Sequence, residues 1–592
     1  MDNQRNIILA VVLTALILFG WDAAMRHYYP QADKPRPVAS AGANTPVAEA
    51  SPAGKPTREG GLTSDADAAL EAKDLAATLA APGRVPIAAP GLSGSINSLG
   101  AQVDDLTANR HRATVKKDSG PVRIFSPAGT PAQQFAQFGW TGAGIELPSA
   151  TTQWTVPAGA RLTPQTPVTL TWANSTGQTF ALTFAIDGDY MITVNQSVTN
   201  ASAAPVTVKP IAQLNRTDRT ASIDSWNVHS GPMGSFAEAV QFAPKYKDVR
   251  SATVVENAGK PDWLGFTDVY WMSMLVPDAK APGTTSDFRA LGGSVYLADV
   301  FYPQMVVAPS QQASRTTRLF AGGKESAVLD RYEDAGIANF GLSIDWGWFR
   351  FFEKPIFMLL KKLFALTGNF GLAIILLTVI VRGLMFPVAQ RQFSSMAAMR
   401  IIQPKVKVIQ ERYKDDKETQ QKKIMELYKE EKVNPLSGCL PIFLQIPVFF
   451  ALYKVLMLSI EMRHQPFVLW IKDLSAPDPA HILNLFGLLP FTPPSFLGIG
   501  LLAVLLDITM FLQFKMNPTP PDPVQAQMFS IMPWMMMFVM GSFASGFLVY
   551  WITSNLLTIA QQKYLYSRHP HMRAQNDKDA EDAKRAAARG KG

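Results

Sequence analysis

Two kinds of hydrophobic pattern divide this chain. From Gln31 to Ser343 no apolar run approaches the roughly 20 residues that carry a helix across a bilayer, whereas such runs recur after Phe370. In the first part Pro167–Trp172, Thr179–Ile186 and Tyr190–Val194 alternate apolar and polar residues. The last two flank the turn dipeptide Asp187-Gly188, which predicts a β-hairpin. Ser294–Phe301 and Met305–Ala308 are strand-like as well, and helical periodicity is sparse. Residues 91–342 are therefore expected to form one all-β sandwich. Ahead of it, residues 31–90 are rich in Ala, Pro, Gly, Thr and Asp, the composition of a flexible tether.

The second part predicts a helical membrane bundle. Phe370–Ala389, Leu440–Met457, Phe496–Phe514, Met528–Ala544 and Phe547–Tyr564 each approach spanning length. Ile7–Trp21 in the segment 1–30 is either a cleavable signal or an anchor. Its flanks favour the anchor, because the nearest small-x-small site, Ala39-Ser40-Ala41, lies far beyond the apolar stretch and Trp21 suits an interface. That gives six spans. Residues 343–366, with clustered aromatics and the pair Lys361/Lys362, predict a helix lying in the interface rather than the first half of a longer span.

Charge orients these elements. The 592 residues carry a net charge of +8. Arg400, Lys405, Lys407, Arg412, Lys414, Lys422 and Lys423 crowd the connector 390–436, while Lys584, Arg585 and Arg589 lie in the tail 568–592. Both segments are expected in the cytoplasm, which leaves the β-domain on the exported side. Within the connector, Lys407/Glu411 and Glu418/Lys422 stand four apart, Asp415-Asp416 interrupts and Asn434-Pro435 ends the pattern. An antiparallel helical hairpin follows, with a kink or restart at Pro404. Such charge alternation also describes an ordinary solvated face. The lone cysteine, Cys439, excludes an internal disulfide, and no zinc, phosphate-loop or nucleophile-elbow motif is present. No cofactor is expected.

The residue that narrows function is Arg382, inside the first apolar run of the bundle. A guanidinium at membrane depth is costly, so it normally faces a protein or water-filled cavity. The plainer alternatives are snorkelling to the headgroups or neutralisation by an acid. At about 1.5 Å per residue Arg382 lies about 18 Å from the outer end of its span. Gln445 sits just inside the next span. Trp551, Asn555, Thr558 and Gln562 recur at i, i+4, i+7 and i+11 along one face of the last helix, and Thr378 extends the stripe outward from Arg382. Three helices thus offer polar groups toward the cytoplasmic side, as a wet inner-leaflet groove requires. Interhelical hydrogen-bond glue accounts for Gln445 and Asn555 equally well, but poorly for an arginine.

Asn369–Arg382, Asn434–Tyr453, Ser545–Asn555 and Gly265–Trp271 resemble the YidC-type membrane protein insertases of Gram-negative bacteria, and the likeness runs through essentially the whole chain. The resemblance implies a five-helix core over 367–567, with a groove open to lipid and cytoplasm in which Arg382 attracts acidic or polar parts of an incoming protein. Thr378, Gln445, Phe449, Tyr550, Trp551 and Asn555 would line it or touch the passing segment. It also implies a periplasmic sandwich of the sugar-mutarotase type without enzyme activity, and work with nascent membrane proteins, the Sec translocon, ribosomes with their targeting machinery, and lipids. Asp507 departs from the family pattern, where a small uncharged residue is expected, and is a candidate partner for Arg382. Two rivals come from other classes. A carbohydrate-active β-sandwich enzyme needs an acid/base set in the β-domain, and a solute transporter needs a polar path through both leaflets. Neither leaves a visible motif.

Overall fold

Alternation builds the hairpin read from the sequence. In the computed structural model Gln178–Ile186 pairs antiparallel with Met191–Asn200, and Ile186 stands opposite Ile192. The Asp187 carboxylate closes the turn by accepting from the Asp189 and Met191 N–H groups at 2.8 and 3.1 Å. Phe180, Leu182 and Phe184 all face inward and are fully buried. The structure describes residues 56–568 apart from 117, 225–227, 348–349, 415, 432–439, 488, 490, 492–497 and 517–522. The anchor read over Ile7–Trp21, most of the tether and the basic tail beyond Arg568 lie outside the described residues.

Among these residues two antiparallel sheets, of ten and eight strands, make up the first structural unit. Gln134–Gly142 and Val206–Thr217 form the middle of the larger sheet, and the long strand Gln311–Gly323 pairs with Met191–Asn200 and Trp271–Val276 in the smaller. The two inner faces interdigitate. Phe138 meets Phe184 edge to face at 6.3 Å, and Trp140 meets Phe180 at 5.0 Å. Buried polar side chains cross the same gap with their donors satisfied: Gln134 Nε2 donates to Ser273 Oγ at 2.7 Å and Gln196 Nε2 to the Gly139 carbonyl at 2.8 Å. A buried ion pair joins Arg216 to Asp268 at 2.5 Å, and Asp268 also accepts from Ser222 N and Ser230 Oγ.

The tether is shorter than composition suggests. Helix α1, Asp65–Leu79, and the strand Arg84–Ala88 occupy part of the stretch 31–90. Arg219 reaches Asp67 at 3.1 Å and the Ala132 N–H donates to Glu71 at 2.8 Å, so α1 docks through polar contacts. An apolar stripe that would have signalled a docked helix is lacking. Two further helices, α2 (Tyr246–Ala252) and α3 (Ser326–Asp334), decorate the sandwich. A charged network ties α3 and Glu325 to the strands. Asp189 takes Arg110 at 2.5 Å and Arg331 at 2.6 Å, while Glu325 takes His111 at 2.9 Å and the Tyr190 hydroxyl.

The second unit is helical: α4 (Arg350–Thr367), α5 (Phe370–Leu384), α6 (Phe386–Arg412), α7 (Lys417–Glu430), α8 (Leu440–Leu458), α9 (Leu501–Met516), α10 (Pro523–Met540) and α11 (Ser545–Arg568). The segment read as interfacial contains a helix over Arg350–Thr367. It buries Phe357, Leu360 and Leu363 yet leaves Phe351, Met358 and Leu366 exposed. The run expected to continue to Ala389 stops at Leu384, because Pro387 cannot donate the N–H that would extend the α5 ladder. The connector forms the expected hairpin: Asp416 caps α7, and Gln420 Nε2 donates to the Gln410 carbonyl at 2.9 Å. Its first arm runs on through Pro404 rather than restarting there. Among the described residues no helix is long and apolar enough to cross a membrane, so the six spans read from the sequence are not confirmed. Two of the expected runs are shortened, α5 ending before Pro387 and α9 beginning at Leu501.

Candidate functional site

Arg382 lies in the last turn of α5 and is half-buried. Its Nε and Nη2 both donate to Ser554 Oγ on α11, at 3.1 and 2.5 Å. Among the described residues no carboxylate pairs with it. Asp507, on α9, is 7 % exposed and its Oδ1 has no hydrogen-bond partner, so the expected candidate pair is not formed. A pocket opens beside the guanidinium, lined by Arg382, Met385, Val388, Ala389, Phe393, Thr558 and Gln561.

The other residues singled out from the sequence fall into three groups. Gln445 on α8 donates to the Tyr550 hydroxyl on α11. Four residues is one turn, about 6 Å, so this contact on α11 lies one turn before Ser554. Next to it Phe449 packs edge to face on Trp551 at 5.3 Å and on Phe547 at 4.8 Å, an aromatic wall reaching from α8 to α11. Thr558 reaches the Arg382 pocket, although its hydroxyl donates back to the Ser554 carbonyl at 2.7 Å. Asn555 and Thr378 are not brought to the pocket. The buried Asn555 amide donates to Thr509 Oγ1 on α9 at 3.1 Å, and the buried Thr378 hydroxyl donates to the Ile374 carbonyl of its own helix at 2.7 Å.

One register separates the predicted stripe from the observed one. At about 100° per residue, Tyr550, Ser554, Thr558 and Gln561 cluster on one side of α11, whereas Asn555 and Gln562 point a quarter-turn away. Both of those amides serve α9: Gln562 Nε2 donates to the Met516 carbonyl at 3.2 Å, beside the Asn555 bond to Thr509. The glue reading therefore describes Asn555 well, and Ser554 is the residue that sequence reasoning missed. A serine between Thr553 and Asn555 carries no signal by itself. Its i−4 and i+4 neighbours, Tyr550 and Thr558, were the available hint.

Chemically this site is a cation held by a neutral hydroxyl at the mouth of a small pocket, with an aromatic wall one turn away. Such a site can accept an anionic or strongly dipolar group without first breaking an ion pair. Among the described residues no cluster of His, Cys, Asp and Glu is arranged to hold a metal ion.

Two family models match the chain, the YidC periplasmic domain over residues 84–359 and the 60Kd inner membrane protein over residues 362–573. A membrane protein insertase YidC from Zymomonas mobilis is 42% identical over 570 residues, spanning 96% of each chain. Among solved structures, an active YidC insertase with its first transmembrane domain resolved matches 81% of this chain and 92% of its own, at 19% identity and a TM-score of 0.34. A galactose mutarotase related enzyme from Lactobacillus acidophilus matches 40% of this chain and 97% of its own, at 8% identity and a TM-score of 0.30. The full-length identity and the two adjoining family models give one assignment: the chain belongs to the YidC family of membrane protein insertases, membrane proteins that carry a periplasmic β-domain.

Proposed function

We propose that this protein inserts nascent membrane proteins by receiving their polar flanks at the Arg382 pocket while their apolar segments pass laterally into lipid. The observation that carries this reading is a guanidinium on an apolar helix whose hydrogen bonds go to Ser554, with no carboxylate partner among the described residues. Arg382, Ser554 and the Gln445–Tyr550 pair replace part of the flank's hydration, which lowers the barrier to its passage. Burial of about twenty apolar client residues, at roughly 25 cal/mol per Å², supplies the driving free energy, so no nucleotide and no bond-making step is needed. Phe449, Tyr550 and Trp551 form the face along which the client slides, and Thr558 with Gln561 completes the polar end.

In this reading α5, α8, α9, α10 and α11 are the five membrane helices of the core, α4 lies in the interface, and an amino-terminal anchor makes a sixth span. Both termini and the α6–α7 hairpin are cytoplasmic. The hairpin and the basic tail meet ribosomes, targeting machinery and anionic headgroups, and the core works alone or beside the Sec translocon. The charge distribution supports this orientation. Photocrosslinkers placed at Gln561, Phe449 and Leu291 during translation of a membrane protein test the proposal. Capture from the first two positions and none from Leu291, on the β-domain, is expected. Normal insertion with only lipid captured at Gln561 and Phe449 overturns it.

A further inference from the structure

The connection between α8 and α9, residues 459–500, sits where three core helices begin. Ala476 and Leu474 carbonyls accept from the Ser545 and Gly546 N–H groups at the start of α11, at 2.7 and 2.8 Å. Asp478 Oδ2 accepts from Leu502 N at the start of α9 at 2.7 Å, and the Phe467 carbonyl accepts from the Asn369 side chain that caps α5 at 3.3 Å. The loop thus satisfies helix-end donors that otherwise stay orphaned, and it marks one end of the helical unit.

Its surface is inverted relative to a loop in water. Asp478, Asn484 and Ser475 are buried, while Leu483, Leu485, Phe486, Leu489 and Phe491 are 41 to 54% exposed and Leu469 is 85% exposed. Between Asp478 and Asp507 the sequence contains no Asp, Glu, Lys or Arg. Three of the exposed residues also hold left-handed backbone: Leu469, Leu485 and Phe486 have φ of 55°, 51° and 61°. Bulky side chains rarely adopt that conformation, which is strained at each position. Water rewards neither the strain nor the exposure. The apolar surface continues onto the helices that begin beside the loop, where Leu372 and Leu376 of α5 and Leu505 and Ile508 of α9 are exposed as well.

We propose that this loop is an interfacial wedge: the turn at Leu469 and residues Ile482–Gly487, Leu489 and Phe491 lie at the headgroup–acyl boundary of the outer leaflet and hold the outer end of the core at a fixed depth. The proposal rests on the reading that α5, α9 and α11 span the bilayer with their starts outward. The backbone of the segment carries bonds of its own, Phe486 N to the His481 carbonyl at 2.8 Å and Leu489 N to the Asn484 carbonyl at 3.0 Å. That degree of satisfaction suits the interface rather than the hydrocarbon centre, where irregular backbone exposed to lipid is not tolerated.

The test uses the full chain with Cys439→Ser, reconstituted in vesicles of phosphatidylethanolamine and phosphatidylglycerol. An environment-sensitive fluorophore is attached in turn at Leu485→Cys, at Leu469→Cys as an independent second site, at Ile508→Cys on α9 and at Leu291→Cys on the β-domain. Lipids carrying a nitroxide near the headgroup should remove roughly half of the fluorescence at 485 and 469, more than lipids labelled near the chain ends do, and leave 291 unchanged. If 508 is quenched while 485 and 469 behave like 291, the wedge is refuted and the spanning core stands. If 508 also behaves like 291, the spanning reading fails and takes the wedge with it.

Discussion

Ser554→Ala isolates the contact that orients Arg382. The substitution removes one oxygen that accepts from two guanidinium nitrogens, at 3.1 and 2.5 Å. A hydrogen bond to a charged group is worth roughly 1.5–3 kcal/mol net. The two donors share a single acceptor, and water can reach the half-buried guanidinium through the pocket, so the lower figure applies. A loss of about 1.5 kcal/mol in the preference for the held orientation corresponds to about a tenfold change in its population. Global stability should fall by less, on the order of 1 kcal/mol, because no fully buried donor is left orphaned. In a reconstituted translation-insertion assay, the initial rate for a client with an acidic translocated flank should drop by up to about tenfold, and that for an uncharged flank by less than about twofold. Arg382→Lys keeps the charge but offers a point donor in place of the guanidinium fork, and should fall between wild type and Arg382→Ala for the acidic client. Should Ser554→Ala insert both clients at the wild-type rate while Arg382→Ala fails on the acidic one, Ser554 has no positioning role and the pocket geometry is not what selects charge.

Four further outcomes follow from other parts of the molecule. Asp507→Leu should raise the thermal midpoint of the detergent-solubilised protein, by about 1–3 kcal/mol of stability, because a buried carboxylate oxygen without a partner is replaced by apolar volume; a loss of stability instead would reveal an ion pair formed in solution. In the β-domain, burial and then the facing Asp299 carboxylate push the Asp287 carboxyl up to about 7, so its contribution is complete below the unfolded pKa near 4 and is lost as pH rises toward 7. Asp287→Asn should flatten the decline in the domain's denaturant midpoint across that window, and an unchanged slope would place the effect elsewhere. Glu325 acts in the opposite sense: burial raises its pKa, but the His111 and Tyr190 hydrogen bonds outweigh burial and hold it below the ordinary value, so Glu325→Gln should blunt the stability loss on acidification below about pH 5. Deleting residues 65–343 removes α1 and the sandwich as a unit and should leave client insertion largely intact in a depletion strain; a stable, correctly placed truncate that inserts nothing contradicts a function seated in the helical core.

The β-domain was legible wherever a strand has one buried and one exposed face. The run Thr179–Ile186 buries every second side chain, and the turn residues at Asp187-Gly188 fall where the hairpin needs them. α1 was not legible because its contacts are Arg219–Asp67 and Ala132–Glu71, which leave no apolar period. In the helical unit the positions of the apolar runs were readable, but their ends were not. Hydropathy does not see that α5 stops at Leu384, two residues after Arg382 and ahead of Pro387, and it extends α9 backward past the start at Leu501. The site was half readable. A lone arginine in an apolar run announces itself, whereas choosing which polar face of α11 meets it requires the rotation of that helix. An error of one residue, Asn555 for Ser554, rotates the answer by about 100°.

The early end of α5 has an electrostatic consequence. Its last carbonyls lie in the same turn as Arg382, and the C-terminus of a helix carries roughly half a negative charge. Backbone carbonyls that do not titrate therefore lie within a turn of Arg382, and the start of α6 at Phe386 offsets part of their field. A carboxylate in that role would be neutralised in acid and would compete with an incoming acidic flank at neutral pH. Peptide dipoles do neither. If client flanks are received at this pocket as proposed, the pH dependence of insertion is expected to follow the client's own flank, because no carboxylate among the described residues pairs with Arg382.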